Sequence, residues 1–284
     1  MDIRYLLVAM ILGVIFPIGH EITFLVKYFI MLLLFFSFRE ISYNKDIFHP
    51  LQIWLLVFFL SIPLVWYIIV RNWSETYALA GFVMAIQPTA SVAPVIMGYL
   101  KGKLEPVTLA ILTTNCATAL YLPIVLPMII PASEGVTTPD ILASVLIVIL
   151  VPLFLAILVR TVFPVFNEKL NAFNRISFYL FLLNVYIAIA EATHFIRFES
   201  TAGLGEILGI GVVAVIIFSI SMLLGTLAGG KTLQAEGSMA LGRKNTIFGI
   251  WLGLTYMSPL VALGPMLYIL VQNAYHSFLI SRVK

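Results

Sequence analysis

Charge is scarce in this sequence. Lysine, arginine, aspartate and glutamate make up 10% of its 284 residues, against about 25% in soluble globular domains. With 62% hydrophobic residues, a soluble fold of this length has too little interior for the apolar surface, so the composition specifies a polytopic membrane protein. Cysteine is nearly absent as well. The single one, Cys116, excludes an intrachain disulfide and a multi-cysteine metal site, and reads as a small buried residue. No His/Cys/Asp cluster has metal-ligand spacing, so no metal is assigned. No nucleophile–base pair or acidic metal motif points to an enzyme, and no cofactor is implied. The run Gly229-Gly230-Lys231 lacks the order of a phosphate loop and reads as a helix end. The pI of about 8.9 reflects loop lysines and arginines rather than a nucleic-acid surface.

What is present is a series of apolar runs, each near the 20 residues that a spanning helix needs. Ten are expected, at about 3–19, 22–38, 50–70, 77–100, 104–131, 140–163, 173–195, 203–230, 232–256 and 258–281. Met1-Asp2-Ile3-Arg4 leads into the first without a small-residue cleavage site, so a span is expected there rather than a signal peptide. Loop cations set the orientation. With the N-terminus in the cytoplasm, Arg4, Arg39, Lys45, Lys101, Lys103, Arg160, Lys169, Arg175, Lys231, Arg282 and Lys284 fall inside. Only Arg71 and Arg197 fall outside, and Lys27, Arg243 and Lys244 lie within segments. This predicts both termini on the cytoplasmic side of a plasma or inner membrane.

Arg243-Lys244 is the feature that most demands an explanation. Each cation at a helix centre costs about 2.5–3.5 kcal/mol on insertion scales, so the pair requires an acidic partner, an anionic ligand or a wet cavity. The pair also sits in a segment that reads as broken, Ala240-Leu241-Gly242-Arg243-Lys244-Asn245-Thr246. The fourth segment is interrupted too, by Gln87-Pro88-Thr89-Ala90-Ser91-Val92-Ala93-Pro94, where the prolines interrupt the hydrogen-bond ladder. Five segments precede five more, so the second half enters from the opposite face. The fourth and ninth then occupy equivalent places. The expected fold is all-α, with ten transmembrane helices in a 5+5 inverted repeat (1–131 and 140–284) and two discontinuous crossing helices. Paired interruptions of this kind mark the binding site of secondary transporters.

These features resemble the bile acid/sodium symporter family. The likeness covers most of the chain and is densest over Pro88 to Pro127 and Gly237 to Ser281. The first stretch is similar to the family's proline- and hydroxyl-rich crossing helix, followed by Tyr99-Leu100-Lys101-Gly102-Lys103 and by Thr113-Thr114-Asn115 through Thr118. The second is similar to its Glu-x-Gly-x-Gln-Asn helix, here Ala240 to Asn245, with Gly264-Pro265 and Gln272-Asn273 after it. The resemblance implies a panel of segments 1, 2, 6 and 7, a core of 3–5 and 8–10, and organic anions bound between them at the crossing. Ala240 and Lys244 stand where sodium-using members carry glutamate and glutamine, and Phe58, counted back from Pro63, stands for a further glutamine. The asparagine of the fourth-segment motif is missing. Thr114 and Thr118 match the family's paired hydroxyls.

The expectation is a sodium-independent secondary active transporter of a small, bile-acid- or carboxylate-like organic anion, working by alternating access. The Lys244 ammonium stands in place of a sodium ion. Thr89, Ser91, Arg243 and Asn245 are candidate substrate contacts, since half-helix N-termini favour anions and a guanidinium suits a carboxylate. Thr89, Ser91 and Asn245 equally fit local capping, and Arg243 equally fits a structural cation beside the cytoplasmic cavity. Glu191, in the seventh segment, either reaches water or pairs with Lys244 or Arg243, and in the second case protons are a coupling partner. One alternative is a sodium-coupled symporter keeping an ion site at Thr114, Asn115 and Thr118. Another is a membrane ligand sensor that does not transport. The partners in every reading are an organic anion and membrane lipid.

Overall fold

The computed structural model describes residues 3–40, 50–130, 138–170 and 174–283. These are overwhelmingly helical, and the one extended pairing among them is an isolated antiparallel bridge between Thr89 and Lys244. The helices are α1 (Ile3–Ile15), α2 (Leu25–Glu40), α3 (Pro50–Val70), α4 (Glu75–Ile86), α5 (Ala93–Tyr99), α6 (Leu104–Ile129), α7 (Thr138–Val162) and α8 (Pro164–Lys169). There follow α9 (Asn174–Phe198), α10 (Leu204–Ala228), α11 (Gln234–Gly242), α12 (Thr246–Tyr256) and α13 (Pro259–Val283). A 3-10 helix, Pro17–Ile22, joins α1 to α2. The expected cytoplasmic cations Lys45 and Lys284, the end of the fifth segment at 131 and the start of the seventh at 173 lie outside the described residues.

Among the described residues, α3, α6, α7, α9 and α10 are long and apolar enough to cross a membrane. The 25 residues of α10 extend roughly 38 Å, more than the roughly 30 Å of a hydrocarbon core. Helices α1, α4 and α12 are apolar but shorter. The chain is a helical membrane protein. Each expected segment coincides with a helix, except that the fourth and ninth are helix pairs, α4–α5 and α11–α12. The first segment stops early, at Ile15, because Pro17 opens the 3-10 helix. Cys116, expected to be buried, is exposed on α6.

The chain divides into two compact units. One contains Ser42–Ala117 and Ala192–Lys284, and with them α3 to α5, the first half of α6 and α10 to α13. Its tightest hairpin is α10–α11. Gly230, at φ 58°, takes the left-handed conformation that glycine adopts without strain and turns the chain between these helices. Gly225 and Gly237 then pack backbone to backbone, and a Cβ on either would collide with the other's carbonyl. At the other end of the unit, the Trp66 indole donates to Tyr77 O at 3.0 Å and ties α3 to α4. The buried Glu236 carboxylate accepts the Lys103 N–H at 2.8 Å and holds the turn between α5 and α6.

The other unit contains Asp2–Ile41 and Thr118–Glu191, and with them α1, the 3-10 helix, α2, the end of α6, α7, α8 and most of α9. Gly13 lets α1 approach α9 at Tyr186 and Ile189, and the Tyr186 hydroxyl donates to Phe16 O at 3.0 Å. Arg39, buried at the end of α2, donates to Asn167 O at 2.6 Å and to its side-chain Oδ1 at 3.2 Å. These bonds fasten α2 to α8.

Candidate functional site

The two interruptions meet inside the first unit. Gln87 ends α4 with φ −60° and ψ 130°, the extended conformation imposed on a residue before proline. Pro88 follows without an N–H to give. Pro94, by contrast, lies in the first turn of α5, where proline is readily accommodated, so it starts a helix rather than breaking one. In the ninth segment no proline is present. Arg243 is simply extended, at φ −88° and ψ 95°, and Asn245 precedes α12 at φ −77° and ψ 83°. The two extended stretches run antiparallel, with Ala90 N–H donating to Arg243 O at 2.9 Å and Asn245 N–H to Pro88 O at 2.8 Å.

Interrupted helices leave carbonyls and N–H groups without helical partners, and in a membrane these have no water to turn to. Here several of them are met by named side chains. Thr89 Oγ1 donates to Ala240 O at 2.6 Å, at the end of α11. The Thr89 N–H donates to Thr114 Oγ1 at 2.9 Å, and that hydroxyl passes its proton on to Ala110 O at 2.6 Å. The Tyr268 hydroxyl donates to Gly242 O at 2.8 Å. The Lys244 N–H donates to Gln272 Oε1 at 3.0 Å, and Gln272 Nε2 returns a longer bond to Lys244 O at 3.4 Å.

Lys244 and Arg243 take opposite directions, as successive residues of an extended strand do. The Lys244 ammonium reaches α4 and donates to Ala85 O at 2.8 Å, and it stands 4.9 Å from the centre of the Phe59 ring. Ala85 is in the last turn of α4, where free carbonyls and the helix dipole present negative charge. The aromatic face adds a second attraction. Phe59 therefore faces the lysine, and its neighbour Phe58, which stands for the family's glutamine in the resemblance, is half-buried. Arg243 lies toward α13, within electrostatic reach of Tyr268 and His276. Neither cation has a carboxylate partner among the described residues, and both are buried, at 4% and 2% exposure for Arg243 and Lys244.

The other expected site residues separate into two groups. Ser91 is exposed and Asn245 half-buried, so these two form the accessible polar face of the crossing. Thr89, Thr114 and Arg243 are buried. The Asn115 amide turns back to Ile111 O at 2.7 Å, and Thr118 is buried one turn farther along α6. Glu191 lies in the second unit, where its Oε2 accepts from Thr23 Oγ1 at 2.7 Å.

Phe59, Ala85 and Tyr268, none of them singled out beforehand, complete the crossing, together with Gln272 and His276 on α13. Tyr268, Gln272 and His276 recur every fourth residue along one face of α13, and that periodicity is readable without a structure. The chain matches no model of a known protein family and no curated protein.

Proposed function

We propose that this protein is a secondary active transporter of a small organic anion, and that transport is independent of sodium because the Lys244 ammonium occupies the place of a sodium ion. The observation that carries the reading is the setting of that ammonium. A fixed cation is held at the C-terminal carbonyls of a half-helix, at the crossing of two interrupted helices, which is where transporters coordinate coupling ions. In this reading all ten helical segments cross the membrane as a 5+5 inverted repeat, both termini lie in the cytoplasm, and the two units work as panel and core in alternating access. The substrate anion meets Ser91 and Asn245, beside the N-terminus of α12, where free N–H groups favour negative charge. Thr89 and Arg243 support the crossing instead.

A sodium-coupled mechanism using Thr114, Asn115 and Thr118 is less favoured. The Thr114 hydroxyl and the Asn115 amide N–H already donate to backbone carbonyls of α6, and no salt-bridging carboxylate stands with them among the described residues. The test is radiotracer uptake of carboxylates into proteoliposomes, with and without a sodium gradient. Uptake of equal size in both supports the proposal, and strong sodium stimulation overturns it. Absence of counterflow with every carboxylate assigns the chain to ligand sensing instead.

A further inference from the structure

Arg243 carries unused hydrogen-bonding capacity. Its Nε and Nη1 are buried and donate to nothing. A buried guanidinium without a partner is strongly unfavourable unless something else supplies negative charge. The other polar group in the same compartment is also incomplete. His276 Nδ1 lies 2.6 Å from Gln272 O. A carbonyl only accepts, so Nδ1 holds the ring proton and Nε2 of the neutral ring is a bare lone pair. That Nε2 is buried and unbonded.

The surrounding contacts place these two groups together. Tyr268 is bonded to Gly242 and Gln272 to Lys244, which lays α13 along the extended stretch with Arg243 between the two fastenings. His276 is one helical turn past Gln272, and Arg243 acts on its ring electrostatically. Phe218 of α10 closes the compartment, edge-on to both Tyr268 and His276 at 5.7 and 6.1 Å between ring centres. Tyr268 and Tyr275 are the titratable neighbours on α13 itself. Of the helices that also pack on α13, α4 brings Glu75 and Tyr77, α5 Tyr99, α10 Glu206 and α12 Tyr256. No carboxylate faces it among the described residues.

We propose that Arg243 and His276 form an internal site that takes up one compact monovalent anion together with one proton. The anion accepts from Arg243 Nε–H and Nη1–H. A lone pair on His276 Nε2 would repel it, so a solvent proton moves onto Nε2, and the resulting N–H becomes a further donor. The charge balances: the empty site carries one positive charge on the guanidinium, and the filled site carries that charge, the imidazolium and the anion, again one positive. A carboxylic acid entering with its own proton gives the same result. Both side chains are buried, so the ligand proposed is a small one, a halide or formate. This site lies on the α13 side of the crossing, and it does not depend on the transport reading.

The experiment uses purified full-length protein in detergent, lightly buffered, with a pH-indicator dye. Sodium bromide, sodium formate and bulky sodium gluconate are added separately. Bromide and formate are expected to raise the unfolding midpoint and to consume about one proton per protein, while gluconate does neither. His276→Gln should remove the proton uptake and weaken bromide binding about ten-fold, and Arg243→Met should remove both. Bromide stabilisation of the parent protein without proton uptake overturns the proposal, and so does indifference to both small anions. The parent measurement stands even if a variant fails to fold. A protein that transports nothing yet takes up protons with bromide would overturn the transport reading alone.

Discussion

Thr89 and Lys244 lie opposite one another in an antiparallel bridge, and each also supports the other's helix. Thr89 Oγ1 meets a terminal carbonyl of α11, and Lys244 Nζ meets one of α4. The crossing is thus a reciprocal arrangement in which each interruption is completed by the chain that contains the other.

Removing the Thr89 hydroxyl isolates this effect. Thr89→Val leaves Ala240 O without its donor and keeps the side-chain shape. It should cost about 1–3 kcal/mol, the range for stranding a buried polar group. Thr89→Ser retains the hydroxyl and should lose much less. Thermal unfolding of both variants in detergent decides this, and equal stability of the two would remove the bond's importance.

The charge-substitution idea has its own reversal. Introducing the glutamate and glutamine of the sodium-symporter motif that the sequence resembles, with the double variant Ala240→Glu/Lys244→Gln, exchanges an ammonium for a carboxylate and an amide. The variant is expected to bind sodium, seen as a midpoint that rises with sodium but not with choline at matched ionic strength. No sodium effect in a folded double variant would count against Lys244 as the stand-in.

Backbone contact between α10 and α11 leaves no space at Gly225 or Gly237. Replacing either with alanine should destabilise the protein by about 1–3 kcal/mol, through forced separation of two helices. By contrast, Gly211→Ala, where the nearest atom beyond the helix is Leu267 Cδ1 at 3.8 Å, should be nearly silent. Unfolding midpoints of the three variants, measured side by side, test the contrast.

Glu191 is a separate question, because it accepts from Thr23 within the second unit. Glu191→Gln keeps an acceptor for that hydroxyl and removes the charge. If Glu191 carries the coupling proton, uptake by the folded variant should lose its dependence on pH. A pH profile identical to the parent's takes Glu191 out of the coupling step.

Much of the fold was legible because the relevant signals are local. Apolar runs located the helices, and Pro88 and the polar stretch at Gly242 to Thr246 located both interruptions. The partners at the crossing were not legible, because they are set by direction. Whether Lys244 reaches α3 and α4 while Arg243 turns to α13 depends on the extended backbone between them, and composition gives no sign of it. Phe59, which faces the lysine, was not legible for the same reason, since one position along a helix turns a side chain by about 100° around the axis. Cys116 misled in another way, since a small apolar residue in a membrane helix faces lipid as readily as protein.

The mutual fastening of the two interruptions has a consequence for biogenesis. Thr89 and Ala240 are 151 positions apart, so the hydroxyl is made long before its acceptor has been synthesised. Until the ninth segment emerges from the ribosome, the early half-helices hold open backbone groups that nothing yet made can occupy. Insertion of this chain is therefore incomplete until its last quarter is translated, and a product truncated ahead of Gln234 should be captured by membrane quality control rather than persist as a stable half.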